Sequence, residues 1–349
     1  MLFNRGEKLQ KEFNKYAAFA WFLLLIFSSC RNEKEKAPKN EKETNAELPA
    51  IKKDFKVPPG FNADSAFSFI KKQVEFGPRV PGTEAQKKCA LYLENKMKNY
   101  GLNIIIQEAE VTVFTGKKVP CKNIIARYKP EDNNRILFFS HWDSRPFADR
   151  DTQNRTLPID AANDGGSGVA VLMEIARQIF LDTTKPEVGI DFIFFDVEDY
   201  GQPQDIMMQD KADTWCLGSQ YWAKNPPVKN YQPKYGILLD MVGAKDAVFS
   251  KEGHSMHYGA NVVEKVWQTA ARLGYTKFFI NNKDYRQLTD DHYYVNTLAQ
   301  IPSIDLIHYN PYTGDFGNFH HTHKDNLSII DKETLKAVGN TLLDLIYNE

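Results

Sequence analysis

Three short runs constrain this 349-residue chain more than any other feature. Ile136-Leu137-Phe138-Phe139-Ser140 leads into His141 and Asp143; Ile190-Asp191-Phe192-Ile193-Phe194-Phe195 leads into Glu198 and Asp199; Gly236-Ile237-Leu238-Leu239 leads into Asp240. Each run is short, apolar on nearly every residue and finished by an acid or an imidazole. Strands apolar on both faces belong in the middle of a sheet covered on both sides, and alternation with helices makes that sheet largely parallel. In open α/β sheets, ligands gather at the carboxyl ends of the strands. One acidic strand end is an ordinary solvated turn; three on one sheet edge mark that edge as the active site.

The remaining periodicities fit this frame. Further strand-like runs lie at residues 104–113, 123–128 and 303–307. Helical spacing appears at residues 64–76, 168–180, 260–273 and 332–347, and Thr83-Glu84-Ala85-Gln86 has the form of a capping box opening a helix that ends near Gly101. No internal repeat is visible. The expected fold is a single α/β domain with a twisted, mostly parallel mixed sheet and helices on both faces. A hydrophobic content of 42% is enough for one substantial core. A formal charge of -1 leaves no basic excess to neutralise a phosphate backbone, so nucleic acid is excluded as an expected partner.

The first 30 residues read as an export signal. Arg5, Lys8, Lys11 and Lys15 precede an apolar run over residues 17–27, and Ser28-Ser29 precede Cys30. As a helix that run rises only about 16 Å, roughly half a bilayer core, too little for a span. Small residues before a cysteine resemble the lipobox of bacterial lipoproteins, with Phe27 where Leu is usual. The implied lipid is on Cys30, and the implied location is the periplasmic side of a membrane or the cell surface of a bacterium. An uncleaved N-terminal anchor is the alternative. Residues 31–54 carry interleaved charges of both signs with little to bury, as a solvated tether does. Residues 55–349 are then the catalytic domain. Cys89, Cys121 and Cys216 show no metal-ligand spacing and read as buried thiols.

The polar residues at the sheet edge form a set that zinc accepts. They are His141, Asp143, Asp164 ahead of Gly165-Gly166-Ser167-Gly168, Glu198, Asp199, Asp240, and a histidine among His320, His321 and His323. A catalytic zinc takes three protein ligands and keeps a position open. One histidine and two carboxylates suffice, leaving the other acids for proton transfer. Adjacent Glu198 and Asp199 need separate roles: if a metal holds Asp199, Glu198 keeps a raised pKa and moves protons.

In order along the chain, Gly77-Pro78-Arg79-Val80-Pro81-Gly82-Thr83, His141-Trp142-Asp143-Ser144, Asp164, Phe194-Phe195-Asp196-Val197-Glu198-Asp199, Leu238-Leu239-Asp240, Asp290-Asp291-His292 and His321-Thr322 resemble the zinc-dependent glutaminyl cyclases. That family shares its α/β fold with the dinuclear zinc aminopeptidases. The resemblance covers roughly residues 67–347. It implies one zinc held by Asp164, Asp199 and His321, with Glu198 as proton shuttle. It also implies Asp240 and Asp290 as an acid pair for the substrate amine, and Trp215 as an aromatic wall beside the glutamine side chain. Trp142 and His320 are further expected substrate contacts. Three departures stand out. The family's Glu-Glu pair is Glu198-Asp199; His320 stands where animal members have tryptophan; and Ser140 precedes His141, so the paired cysteines of secreted animal members have no counterpart. His323 stays open as the alternative metal histidine.

The expected reaction converts N-terminal glutamine of peptides or proteins to pyroglutamate with release of ammonia. Two rivals remain. A two-zinc aminopeptidase would hold its second metal at His141 and Asp240, bridged by Asp164. A peptide-binding lipoprotein that lost its chemistry would lack a ligand or the base, and the chain lacks neither.

Overall fold

The computed structural model describes residues 55–203, 211–283 and 286–349. The expected signal, Cys30 and the tether lie outside them. Among the described residues no helix is long and apolar enough to cross a membrane.

Two helices, α1 (Ala63–Glu75) and α2 (Glu84–Asn99), precede the first strands. Asn62 caps α1 by accepting from Ser65 N, and Thr83 caps α2 by accepting from Gln86 N, which the capping-box pattern anticipates. The elements β1 (Asn103–Thr112), β2 (Lys118–Tyr128), β3 (Arg135–His141), α3 (Gly166–Leu181) and β4 (Gly189–Phe195) come next. They are followed by α4 (Leu217–Lys224), β5 (Gly236–Asp240), β6 (Phe249–Lys251), α5 (Gly253–Arg272), β7 (Phe279–Lys283), α6 (Asp291–Thr297), β8 (Ser303–Ile307) and α7 (Lys332–Tyr347).

Six strands form one sheet in the order β1-β2-β4-β3-β5-β8. β3 pairs in parallel with β4 and with β5, and β5 with β8, while β1 and β2 form an antiparallel edge. The pleat sends alternate side chains to opposite faces. Ile136 and Phe138 of β3 join Phe192 and Phe194 of β4 in the large core beneath α1, α3 and α7. Leu137 and Phe139 join Ile193 and Phe195 in a second core with Trp222 of α4 and Val295 of α6. Both faces are thus covered, as the apolar runs required.

α5 starts well before the expected residue 260. Glu252 caps it, and it bends at Gly259, where a Cβ would come within 2.8 Å of Ile304 Cγ2. β8 packs too close for any side chain there, so the kink accommodates the sheet. The short elements α4, α6, β6 and β7 were not anticipated. Cys89, Cys121 and Cys216 are free and buried.

Candidate metal and active site

The carboxyl ends of β3, β4 and β5 deliver His141, Glu198-Asp199 and Asp240 to one edge, joined by Asp164 ahead of α3, Asp290 at the cap of α6, and the loop carrying His321. Three of the turns that aim these groups are left-handed at non-glycine residues: Val197 (φ 53), Met241 (φ 48) and His321 (φ 56). Such conformations cost of order 1 kcal/mol or more each and persist where the surroundings hold them. Gly165 (φ +80) relaxes a fourth turn, and a Cβ there would meet His141 Cε1 at 2.7 Å.

Three buried side chains hold these turns, among them Asp143, which the sequence places only in the zinc donor set. Asp143 accepts from the backbone N–H of Glu198 at 3.1 Å and of Asp199 at 3.2 Å. Asp325 accepts from Asn163 N at 2.7 Å and Asp164 N at 3.0 Å. Arg79 donates to the carbonyls of Trp142, Asp160 and Ala161 at 3.0, 2.7 and 2.7 Å, clasping the loops around His141 and Asp164. That is the work of the Gly-Pro-Arg segment. Each is a long-range link between backbone and side chain that no local pattern reveals.

His321 Nε2 lies 3.3 Å from Asp199 Oδ1 and 3.8 Å from Asp164 Oδ2, so the expected metal histidine reaches both expected carboxylates. Its Nδ1 lies 3.6 Å from Asp149 Oδ1, a carboxylate placed to orient the ring. Arg145, fully buried, pairs with Asp149 and reaches Asp199 Oδ1 at 3.2 Å. Trp215 stacks on His321 with ring centroids 5.8 Å apart and planes 11° apart, and Gly201 leaves room for that indole. His320 lies 4.0 Å from Asp164 Oδ2 and pairs with Arg150. His323 pairs with Asp151 at 2.9 Å, away from Asp164. Trp142 corrects an expectation. It is fully buried in the main core, its indole donating to Lys122 O at 3.1 Å, so it cannot touch substrate. Period two explains this: Trp142, one residue past β3, joins Ile136 and Phe138 in the main core, whereas Leu137 and Phe139 lie in the second.

The charge pattern suits a metal. Burial, reinforced by Asp199, pushes Asp164 up to about 6, and burial pushes Asp199 up to about 7 against the pull of Arg145. Burial holds His320 and His321 well below the ordinary imidazole range, leaving neutral rings that can bind metal. Asp199 Oδ2 is buried without a hydrogen-bond partner. A divalent cation meets all three conditions at once, and the trio fits zinc. Two groups at this edge have their ligand atoms within 4.8 Å of one another: Asp164 with His320 and His321, and Asp164 with His141 and Asp240. Beside them burial holds Glu198 well above the carboxylate range, and Cys216 Sγ donates to its Oε1 at 3.2 Å.

A model of peptidase family M28 matches residues 123–346. The chain belongs to peptidase family M28. Among curated proteins, aminopeptidase YwaD of Bacillus subtilis is 25% identical over 253 residues, covering 70% of this chain and 48% of that protein. The chain therefore spans about half the length of that relative. Solved structures are nearer. A Zn-dependent exopeptidase from Parabacteroides distasonis shares 51% identity over 84% of this chain and 100% of its own, with TM-score 0.81. Tannerella forsythia glutaminyl cyclase shares 52% over 83% of this chain and 100% of its own, with TM-score 0.80. The M28 fold with a zinc-dependent function thus stands, and the resemblance to glutaminyl cyclases holds.

Two outcomes test the metal site. Asp143→Asn turns one acceptor oxygen into a donor facing a backbone N–H, and should weaken zinc about 10- to 100-fold, measured by competition with a chelator. The second concerns pH. Asp164 and Asp199 have folded values of about 6 and about 7, raised from 3.8. Their raised values favour the metal-free fold below about pH 4, and this support is lost as pH climbs through 6 and 7. Zinc binds the ionised forms. The fall in Tm on chelation should therefore be larger at about pH 8 than at about pH 5.

Proposed function

We propose that this M28 protein is a glutaminyl-peptide cyclotransferase, closing N-terminal glutamine into pyroglutamate. The observation that carries the reading is the placement of buried Asp290 at the cap of α6 beside Glu198. Burial, then the nearby Asp240 charge, pushes Asp290 up to about 6. Asp290 also lies within 4.8 Å of Glu198. Asp240 and Asp290, both buried, offer acceptor oxygens to an amine beside the proton-transfer group. The T. forsythia cyclase, 52% identical, supports the same choice.

The nucleophile is internal, so the site gains from orientation rather than from making hydroxide. Zinc on Asp164, Asp199 and His321 would supply Lewis acidity toward the side-chain amide carbonyl. Asp240 and Asp290 hold the α-amine, Trp215 walls the side chain, and Glu198 takes one proton from the amine as its nitrogen bonds the amide carbon. Glu198 then gives that proton to the departing nitrogen, which leaves as ammonia. Mass spectrometry of a peptide with N-terminal glutamine should show a product lighter by one ammonia. A product shortened by one residue would refute the reading.

The second reading, a dinuclear aminopeptidase, is favoured by the ligand-like approach of His141, Asp164 and Asp240. There Asp290 would crowd a metal ligand. Export and a lipid at Cys30 belong to the same proposal, with N-termini of exported proteins as substrates. Intact mass of Cys30 peptides from the membrane fraction tests it, an unmodified thiol contradicting it.

A further inference from the structure

Behind Asp290 lies a buried network for which the reaction just described has no use. His292 is fully enclosed. Its Nε2 faces Glu252 Oε2 at 3.3 Å and its Nδ1 faces Asp305 Oδ2 at 3.7 Å, close approaches rather than aligned hydrogen bonds. Glu252, the cap of α5, accepts from His254 N at 2.8 Å, from Ser255 N and Oγ at 2.7 Å each, and from Leu288 N at 2.9 Å. Ser255 Oγ in turn accepts from Asp305 N on β8 at 2.9 Å. One carboxylate thereby grips the chain on both sides of Asp290: at Leu288, two residues before it, and at His292, two residues after. Asp290 has extended backbone (φ -149, ψ 177), which turns its side chain back toward its own helix, where it accepts from Asp291 N at 2.6 Å. The ligand atoms of Asp290, His292 and Asp305 lie within 4.8 Å of one another.

We propose that Glu252 and His292 are positioning residues, a bracket that holds Asp290 against the substrate's α-amine. The inference rests on the cyclase reading for the role of Asp290. Charge supports it. Asp290 is faced by Asp240, Glu198, Cys216, His141 and its neighbour Asp291; His292 is faced by Glu252, Asp305 and the ring of His254. In this acid-rich interior Glu252 is held down at about 2: burial opposes its charge, but His292 and the donated N–H groups outweigh it. Burial instead pushes Asp305 well above the carboxylate range. Of the two carboxylates facing the imidazole, Glu252 is the nearer, at 3.3 Å against 3.7 Å for Asp305.

Removing one half leaves the other polar group buried without its partner, whereas removing both does not. The test compares Glu252→Gln, His292→Gln and the double variant with the wild type, using a peptide with N-terminal glutamine. In the double variant KM should rise about tenfold or more, with kcat changing less. Zinc content and inhibition by imidazole, which needs only the metal, should stay unchanged. Each single variant should be worse than the double. A folded, zinc-loaded double variant with wild-type KM overturns the bracket, as does equal weakening of substrate and imidazole. Failure of the double variant to fold would assign the pair to stability alone and also overturns it. Absence of ammonia from the wild type is a failure of the cyclase reading instead. The variants are then read on a leucine anilide, where an unchanged KM overturns the bracket equally.

Discussion

Glu198→Gln is expected to lower turnover of an N-terminal glutamine peptide by about three orders of magnitude, roughly 4 kcal/mol in the barrier, with zinc still bound. The amide matches the carboxylate in size, so any loss reports proton transfer rather than packing. Glu198 is buried, sits beside His141 at 3.9 Å, and receives the Cys216 thiol. Its backbone is fixed by Asp143 whatever its side chain. Burial is the main cause of its raised pKa, with His141 pulling the other way and Asp199 and Asp290 adding to it. A metal on Asp199 would bring the value down toward the range in which a group both takes and returns a proton. Zinc content beside single-turnover kinetics checks this; an active, zinc-loaded Glu198→Gln protein removes the shuttle from the account.

The second large effect is expected from His321→Gly: zinc retention and ammonia release should both fall to background while the protein still folds. Glycine takes a φ of 56° without the penalty a histidine pays there. The lost stacking on Trp215 is offset in part by that relief, so Tm of the metal-free variant should lie within about 5 °C of metal-free wild type. Scanning calorimetry of both proteins after chelation measures it. Retained zinc in His321→Gly would move the ligand role to His320, whose Nε2 also approaches Asp164.

The sheet and its reactive edge were legible because strand ends carry their own signature. β3, β4 and β5 are continuous apolar runs, and the acids after them break the pattern abruptly. What holds that edge together was not legible. Asp143 stands out only as one more acid at a strand end and Arg79 only as part of a motif; that both, with Asp325, act on backbone groups far away in sequence is not written in local spacing. α6 was missed because seven residues make too few turns for a periodic signal, although Asp290 at its cap was singled out. The start of α5 was hidden by His254, Ser255, His257 and Tyr258, which interrupt the apolar spacing. Trp142 was misassigned by proximity to His141; one residue past β3, it continues the alternation of Ile136 and Phe138 into the main core.

The central claim is a one-zinc, ammonia-releasing site within a family that also includes aminopeptidases. Its most direct test titrates zinc into chelated protein while following ammonia from an N-terminal glutamine peptide and leucine from a leucine anilide. The account predicts that ammonia release is complete at one equivalent of zinc, with no leucine released at any point. Leucine release that appears only as a second equivalent binds would contradict it, placing a second metal on His141, Asp164 and Asp240.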